Sequence, residues 1–163
     1  MRKPAPDDST VILSTFGGFT EVAKLFGKDI PAQLLQELNE DLRDDLRAIT
    51  LYEDTTSTLE RLRQSGFKLA LCSNLAKPYG EAVFSRLPKL EAYAWSYEVG
   101  SIKPEPQIYQ CLIDQLNCEA EEVLFIGDTP IADVSGPIAF GMSARLIDRK
   151  NGQKFSDILC DLL

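Results

Sequence analysis

Histidine is absent from this chain of 163 residues. Its absence excludes serine–histidine triads, histidine general bases and histidine metal ligands. Cysteine is also scarce, and the four cysteines include no CxxC pair and no spacing typical of a zinc site. We therefore expect buried free thiols that pack as small apolar side chains. Any chemistry must rest on carboxylates, lysine, serine or threonine.

Positive charge is in short supply as well. Lysine and arginine number 17 against 25 acidic residues, which gives a net charge of -8 with no clustered basic stretch. This balance argues against nucleic acid and anionic membrane surfaces as partners. No apolar run approaches the roughly 18 residues of a membrane span, and the start, MRKPAPDDST, lacks the apolar segment of a secretory signal. We expect a cytoplasmic protein.

The length suits one compact domain with a small appended part, and the pattern changes near residue 52. Before that point the signals are helical. Residues 19–27 have one apolar face. A second helix, with Asp29 as its cap and Pro31 in its first turn, carries four leucines and then Ile49 at steps of three and four. We predict a helical segment over residues 1–52 and a core over residues 53–163.

After residue 52, predicted helices alternate with predicted strands. A helix capped by Thr55 or Thr56 ends at Gly66. The strands are FKLALCS, AYAWS, VLFIG and SARLI, separated by helices at residues 79–87, EPQIYQCLIDQLN and ADVSGPIAFG. Strands and helices alternating at this spacing predict an α/β fold with a parallel sheet and helices on both faces.

Polar residues follow three of the predicted strands. Ser73 and Asn74 follow FKLALC, and Lys103 lies in the loop GSIKPEP after AYAWS. Asp128 and Asp133 follow VLFI. Ligands of such sheets bind beyond the carboxyl ends of the strands. We therefore expect these side chains to converge on one anion and one metal ion.

Each cluster also has a simpler interpretation. Ser73 and Asn74 could close a strand and cap the next segment, and Lys103 could be a solvated loop lysine. Asp133 could only cap the helix that follows it, because carboxylates are favoured near helix N-termini. The occurrence of all three clusters in this order favours a shared site.

The stretches LALCSN, EVGSIKPEPQIY and VLFIGDTPIAD resemble, in this order, motifs II, III and IV of the haloacid dehalogenase (HAD) superfamily. The resemblance covers residues 52–148, and residues 19–50 resemble the small helical cap of some members. It implies a Rossmann-like core and phosphatase-like hydrolysis through a covalent aspartyl intermediate. It also implies Mg²⁺ as the cofactor and a small phosphorylated molecule as the partner.

By position, the resemblance implies roles for five residues. Ser73 would hydrogen-bond the phosphoryl group, with Asn74 beside it. Lys103 would neutralise the phosphoryl oxygens, so Ser73 and Lys103 are the expected catalytic residues. Asp128 would ligate Mg²⁺, and Asp133 would support that metal site. Carboxylate oxygens suit a hard dication, and fixed positive charge carries most of phosphoryl-transfer catalysis.

The first motif of the family, a strand followed by D-x-D-G-T, has no counterpart in this sequence. In the nearest stretch, TVILSTFGGF, Ser14 and Phe16 occupy the places of the aspartates, and Ser14 has no histidine or evident lysine to activate it. Either the first strand is lost at the N-terminus, or it is degenerate and VIL forms it. A missing central strand would leave unpaired backbone groups that each cost on the order of 1–3 kcal/mol. VILS, a rearranged sheet or a segment of another chain would have to fill the gap.

These observations lead to more than one expected function. The first is a phosphatase-like HAD hydrolase that, without the aspartate motif, is truncated or catalytically weak. The alternative is a non-catalytic protein that binds phosphate or a phosphorylated ligand. A fragment that self-associates through its open sheet is a third possibility. Dehalogenation of a small haloacid is the weaker choice within the enzyme class, since GDxxxxD fits the metal-using phosphatases better.

Overall fold

A computed structural model of the chain describes the backbone of residues 6–15 and 17–163 and the side chains of residues 9–15 and 17–163. The α-helices are α1 (Pro6–Leu13), α2 (Phe19–Leu25), α3 (Ala32–Ala48), α4 (Thr55–Gln64), α5 (Lys77–Phe84), α6 (Ser96–Val99), α7 (Pro106–Leu116), α8 (Gly136–Phe140) and α9 (Phe155–Ile158). The strands are β1 (Ala70–Ser73), β2 (Ala92–Trp95), β3 (Leu124–Gly127) and β4 (Ser143–Leu146). Short 3-10 turns lie at Ala120–Glu122 and Arg149–Asn151, and a π-helical turn lies at Pro130–Ser135. Within this part of the chain, no helix has the length and apolar character needed to cross a bilayer.

The strands pair in parallel, as the sequence predicts. β1 pairs with β2, with Ala70 opposite Ala92 and Ser73 opposite Trp95. β3 pairs with β4, with Leu124 opposite Ser143. The alternation of helices with parallel strands confirms the α/β fold class. Across residues 6–15 and 17–163, however, no strand joins β1 to β3, so the sheet is split into two parallel pairs.

Residues 11–13, which were expected to supply the first strand if that strand is degenerate, belong to α1 instead. The N–H of Ser14 donates to the C=O of Thr10 at 2.9 Å, and its hydroxyl donates to the same oxygen at 2.7 Å. The helix satisfies its backbone groups locally and needs no partner strand. The explanation by a degenerate VIL strand is therefore wrong for this structure. Phe16, the second residue of that prediction, lies outside the described residues.

The helices before residue 52 form close to their predicted positions. Pro31, not Asp29, is the N-cap residue of α3, which begins at Ala32. No residue of α3 is buried. The hydroxyl of Tyr79 in α5 donates to Asp45 in α3 at 3.1 Å, which holds α3 against α5. The division into residues 1–52 and 53–163 stays a prediction.

The N-cap residue of α4 is Asp54, not Thr55 or Thr56 as predicted. Its carboxylate accepts hydrogen bonds from Arg149 Nη1 at 2.9 Å and from the N–H of Phe155 at 2.7 Å. Partial burial opposes the charged form, but these hydrogen bonds outweigh it and lower the pKa of Asp54. The start of α4 is thereby joined to the segment around α9.

The core lies between α7 and the two strand pairs. α7 turns an apolar stripe inward, as its 3.6-residue periodicity predicts, and Ile108 and Leu112 are fully or nearly fully buried. The buried cluster consists of Ala92, Ala94, Ile108, Tyr109, Leu112, Leu116, Phe125 and Met142. Burying one large apolar side chain contributes about 1.5–3 kcal/mol, so this cluster holds α7 to both strand pairs.

A row of aromatic rings runs along β2 and beyond it. The ring centroids of Phe84 and Tyr93 are 5.1 Å apart, those of Tyr93 and Trp95 are 6.0 Å apart, and those of Trp95 and Tyr97 are 6.1 Å apart. These separations are typical of favourable ring contacts. The row joins α5 to β2 through the contact of Phe84 with Tyr93.

Candidate functional site

The carboxyl ends of β1 and β3 meet at the side chain of Lys103. Its Nζ lies 2.6 Å from Asp133 Oδ1 and 3.0 Å from the C=O of Cys72, the residue before Ser73. The Lys103 and Asp133 side chains are only 11% and 6% exposed. Lys103 is therefore not a solvated loop lysine, and it contacts both Asn74 and Asp133. The predicted convergence of all five residues on one anion and one metal ion stays a prediction.

Asn74 fixes the backbone of the Lys103 loop. Its Nδ2 donates to the C=O of Lys103 at 3.0 Å, and its Oδ1 accepts the N–H of Lys103 at 2.8 Å. In the same loop, Glu105 Oε2 accepts the Ser101 hydroxyl at 2.6 Å and the N–H of Ile102 at 3.1 Å. Because both ends of the Asn74 amide are used in this way, Asn74 positions Lys103, and its predicted contact with phosphate stays a prediction.

Gly127 allows Asp133 to approach the end of β3. A Cβ at Gly127 would lie 2.4 Å from Asp133 Cγ and 2.5 Å from Asp133 Oδ2, closer than any side chain tolerates. Asp133 Oδ2 accepts the N–H of Thr129 at 2.9 Å, and its Oδ1 accepts the Lys103 ammonium. The Asp133 carboxylate therefore links the start of the π-helical turn to Lys103, with a hydrogen bond on each oxygen.

Asp128 is arranged differently. It is exposed, and its Oδ1 accepts the Thr129 hydroxyl at 3.3 Å. In the described part of the chain, no group of three carboxylate or thiolate side chains is placed to hold a metal ion. Mg²⁺ commonly keeps several waters and uses one or two protein carboxylates. Asp128 fits a Mg²⁺ site of that kind, while Asp133 is engaged by Lys103 and Thr129.

Tyr109 is a structural residue of the site that the sequence reasoning missed, although it ends the KPEPQIY motif. It is fully buried, and its hydroxyl donates to the C=O of Ala132 at 2.7 Å. A Cβ at Gly136 would lie 2.5 Å from this hydroxyl and 2.6 Å from Pro104 Cβ. Burial holds the pKa of Tyr109 above its usual range. The tyrosine therefore locks the Asp133 turn against the Lys103 loop, and its spacing from Lys103 is the signal in the sequence.

Ser73 lies at the end of β1, whereas Cys72 and Ser14 are poor candidates for a nucleophile. Ser73 ends β1 beside the carbonyl that binds Lys103, so it lies at the site. Burial raises the pKa of the neighbouring Cys72 thiol to about 12, so this thiol is neutral and is not a nucleophile at physiological pH. Ser14 is not a strand residue, since it follows α1 directly and its hydroxyl donates to the C=O of Thr10.

Comparisons with known proteins agree with this geometry. A family profile described as haloacid dehalogenase-like hydrolase matches residues 10–141. A ribulose-1,5-bisphosphate 5-phosphatase of Halopiger xanaduensis is 29% identical over 63% of this chain and 44% of its own length. An (S)-2-haloacid dehalogenase of a Pseudomonas species is 30% identical over 71% of this chain and 52% of its own length. The chain thus spans about half the length of these two relatives.

A solved structure shares the fold. A HAD family enzyme from Bacteroides thetaiotaomicron, crystallised with magnesium and inorganic phosphate, superposes with a TM-score of 0.65 at 18% identity. The match covers 93% of this chain and 77% of that structure. The structural match therefore extends over nearly the whole chain.

Proposed function

The chain belongs to the haloacid dehalogenase-like hydrolases, and from this premise we propose that the carboxyl ends of β1 and β3 bind a phosphoryl group and Mg²⁺ in the manner of a phosphatase. The observation that carries this proposal is the position of Lys103 Nζ, 3.0 Å from the Cys72 carbonyl and 2.6 Å from Asp133. One buried cation there stands between the end of β1 and the turn after β3. The substrate class is a small phosphorylated molecule, as in the phosphatase named among the relatives.

The contacts of each side chain indicate its proposed role. Ser73 offers a hydroxyl to a phosphoryl oxygen, and Lys103 offers positive charge in a site with little exposure to water, where charge acts strongly. Asp128 would hold Mg²⁺ through its exposed carboxylate, and the ion would neutralise charge on the phosphoryl oxygens. Asn74 and Asp133 are positioning residues, because both of them bond to Lys103.

Among the residues whose side chains the structure describes, none near Lys103 suits the covalent step. Asp133 is bonded to Lys103, and Asp128 is the residue proposed to hold Mg²⁺. Ser14 bonds to a helix carbonyl. Loss of a catalytic nucleophile typically lowers turnover by on the order of 10⁶-fold. We therefore expect these 163 residues by themselves to bind phosphate but to hydrolyse phosphoesters very slowly. This geometry of Ser14 favours the second candidate function, a non-catalytic phosphate-binding protein.

The proposal is tested by calorimetry with inorganic phosphate, with and without Mg²⁺. We expect phosphate to bind, and we expect Mg²⁺ to strengthen its binding. Asp128→Asn should abolish the Mg²⁺ effect, whereas Asp41→Asn on the exposed face of α3 should leave it unchanged. Absence of phosphate binding in both conditions would contradict the retained pocket.

Turnover is measured separately with p-nitrophenyl phosphate and with (S)-2-chloropropionate. We expect neither substrate to be turned over at an ordinary enzymatic rate. A normal phosphatase rate that Asp128→Ala abolishes would show that a nucleophile has been overlooked. Chloride release without added Mg²⁺ would instead favour the dehalogenase chemistry of the Pseudomonas relative.

A further inference from the structure

A pocket of about 520 Å³ lies beside β2 and is lined by residues of α5, β2, α6 and α7. Of the described residues that line it, none belongs to the site around Lys103. Its volume is in the range of pockets that bind small molecules. The pocket is therefore a candidate binding site that is separate from the proposed phosphate site.

The aromatic row of Phe84, Tyr93, Trp95 and Tyr97 lines this pocket. Tyr93 and Trp95 are two residues apart in β2, so their side chains lie on one face of the strand, and their rings are inclined by only 13°. The Phe84 ring is inclined by 62° to the Tyr93 ring. The row therefore supplies two aromatic walls at a steep angle to each other.

The rings differ in how much surface they offer to a ligand. Phe84 is 53% exposed and Tyr93 is half-buried, whereas Trp95 and Tyr97 are each only 4% exposed. The centroid of the Trp95 ring lies 6.0 Å from that of Tyr93. A ligand in the pocket would therefore meet mainly Phe84 and Tyr93, with the indole of Trp95 next to it.

The charged residues of the pocket wall are acidic. Glu81 and Glu98 are exposed, and no lysine or arginine is among the described residues that line the pocket. Burial, and then the charges of Glu98 and Glu81, raise the pKa of Tyr97 to about 12. Glu81 Oε1 lies 3.8 Å from Lys77 Nζ, but Glu98 takes part in no ion pair with another described residue. The wall therefore carries negative charge that is only partly compensated.

We propose that this pocket binds the quaternary ammonium group of a small organic cation. The face of an aromatic ring attracts a cation within about 6 Å of the ring centroid, and quaternary ammonium groups are the ligands that aromatic cages recognise. Phe84 and Tyr93 would contact the methyl groups, and Glu98 would supply the opposite charge. A metal ion is the poorer choice, because no group of three carboxylate or thiolate side chains in the described chain is placed to hold one.

Fluorescence titration with choline chloride tests this proposal. Trp95 is the only tryptophan of the sequence and lies in the pocket wall, so its emission reports a ligand there. The control ligand is the neutral alcohol in which a tert-butyl group replaces the trimethylammonium group of choline. Sodium chloride holds the ionic strength constant. We expect a saturable change in emission with choline, and binding of the neutral alcohol that is weaker by at least about tenfold.

Two variants locate the site of choline binding. Glu98→Gln and Phe84→Leu should each weaken it by about two- to fivefold, as expected for one exposed charge or one exposed ring. Glu60→Gln removes the same charge from an exposed position of α4 outside the pocket and should leave choline binding unchanged. Since Glu98 and Phe84 are both exposed, we expect the variants to fold, and far-ultraviolet circular dichroism checks this.

Three results would overturn the proposal. The first is an emission that shows no saturable change with choline. The second is an equal affinity for choline and the neutral alcohol, which would make the pocket a general apolar site. The third is choline binding that neither Glu98→Gln nor Phe84→Leu weakens, which would place the cation elsewhere. The titration contains neither phosphate nor Mg²⁺, so its failure and a failure of the proposed function are separate outcomes.

Discussion

The ion pair between Lys103 and Asp133 should be among the most strongly coupled contacts in the protein. At a separation of 2.6 Å, two unit charges attract by about 6 kcal/mol at an effective dielectric constant of about 20. Desolvation of the two nearly buried groups offsets a large part of this attraction. Removing one partner leaves the other charge buried and unpaired. Lys103→Met and Asp133→Asn should each lower the free energy of unfolding by about 3–5 kcal/mol.

The double variant, Lys103→Met with Asp133→Asn, measures how much of the two losses comes from the interaction between these side chains. With both charges removed, we expect a loss smaller than the sum of the two single losses by about 2–4 kcal/mol. Urea denaturation of the four proteins measures this difference. The pair of Lys154 and Glu53 is the matched control, since both side chains are at least half exposed and such pairs show little coupling. A coupling for Lys103 and Asp133 no larger than that of the control would refute the reasoning.

Two further predictions concern a carboxylate and the thiols. Asp54→Asn should lower the free energy of unfolding at pH 7 by about 3 kcal/mol. The pKa of Asp54 is lower in the folded protein than in the unfolded chain. The stabilisation is therefore present above about pH 4 and is lost as the pH falls through the folded-state pKa. Urea denaturation from pH 7 downward measures it, and a native protein and variant of equal stability at pH 7 would contradict it. With a thiol reagent at about pH 8, exposed Cys160 should be modified quickly, while half-buried Cys72, with its pKa of about 12, should react much more slowly. Equal labelling rates of the two thiols in the folded protein, read by mass spectrometry, would show that Cys72 is not shielded.

The approach of the Lys103 loop to the ends of β1 and β3 could be predicted from the sequence because strand ends are easy to locate. Ser73, Lys103 and Asp128 each follow a short apolar run, and parallel strands bring such positions to one edge of the structure. The partner of Asp133 could not be predicted in this way. Its bond to Lys103 depends on the turn that follows β3 and on the missing side chain of Gly127, and both are features of three-dimensional packing.

The N-terminal segment shows where local pattern fails. Residues 11–13 are apolar and include β-branched side chains, which favour strands, yet they form part of α1. Residues that favour strands form one only where a neighbouring strand is available for pairing. The sequence does not show whether such a strand is present. In the structure, Leu13 meets the Ser96 hydroxyl beyond the end of β2 and not the open edge of β1.

The half-burial of β1 was likewise outside the reach of sequence reasoning. The apolar run FKLALCS is typical of a strand covered on both faces. In the structure only Ala70–Ser73 is a strand, and none of its residues is fully buried. Burial of a parallel strand depends on neighbours at both of its edges. β1 has such a neighbour only in β2 among the described residues, so its other edge remains accessible.

The aromatic row along β2 gives the protein an optical reporter of its own. Trp95 is the only tryptophan in the sequence, is 4% exposed and lies between the rings of Tyr93 and Tyr97. All indole emission therefore arises from one position, directly across the strand pair from Ser73. Because Trp95 lies opposite Ser73, we expect changes in its emission wavelength or in the near-ultraviolet dichroism to report ligand binding at the proposed phosphate site without any label.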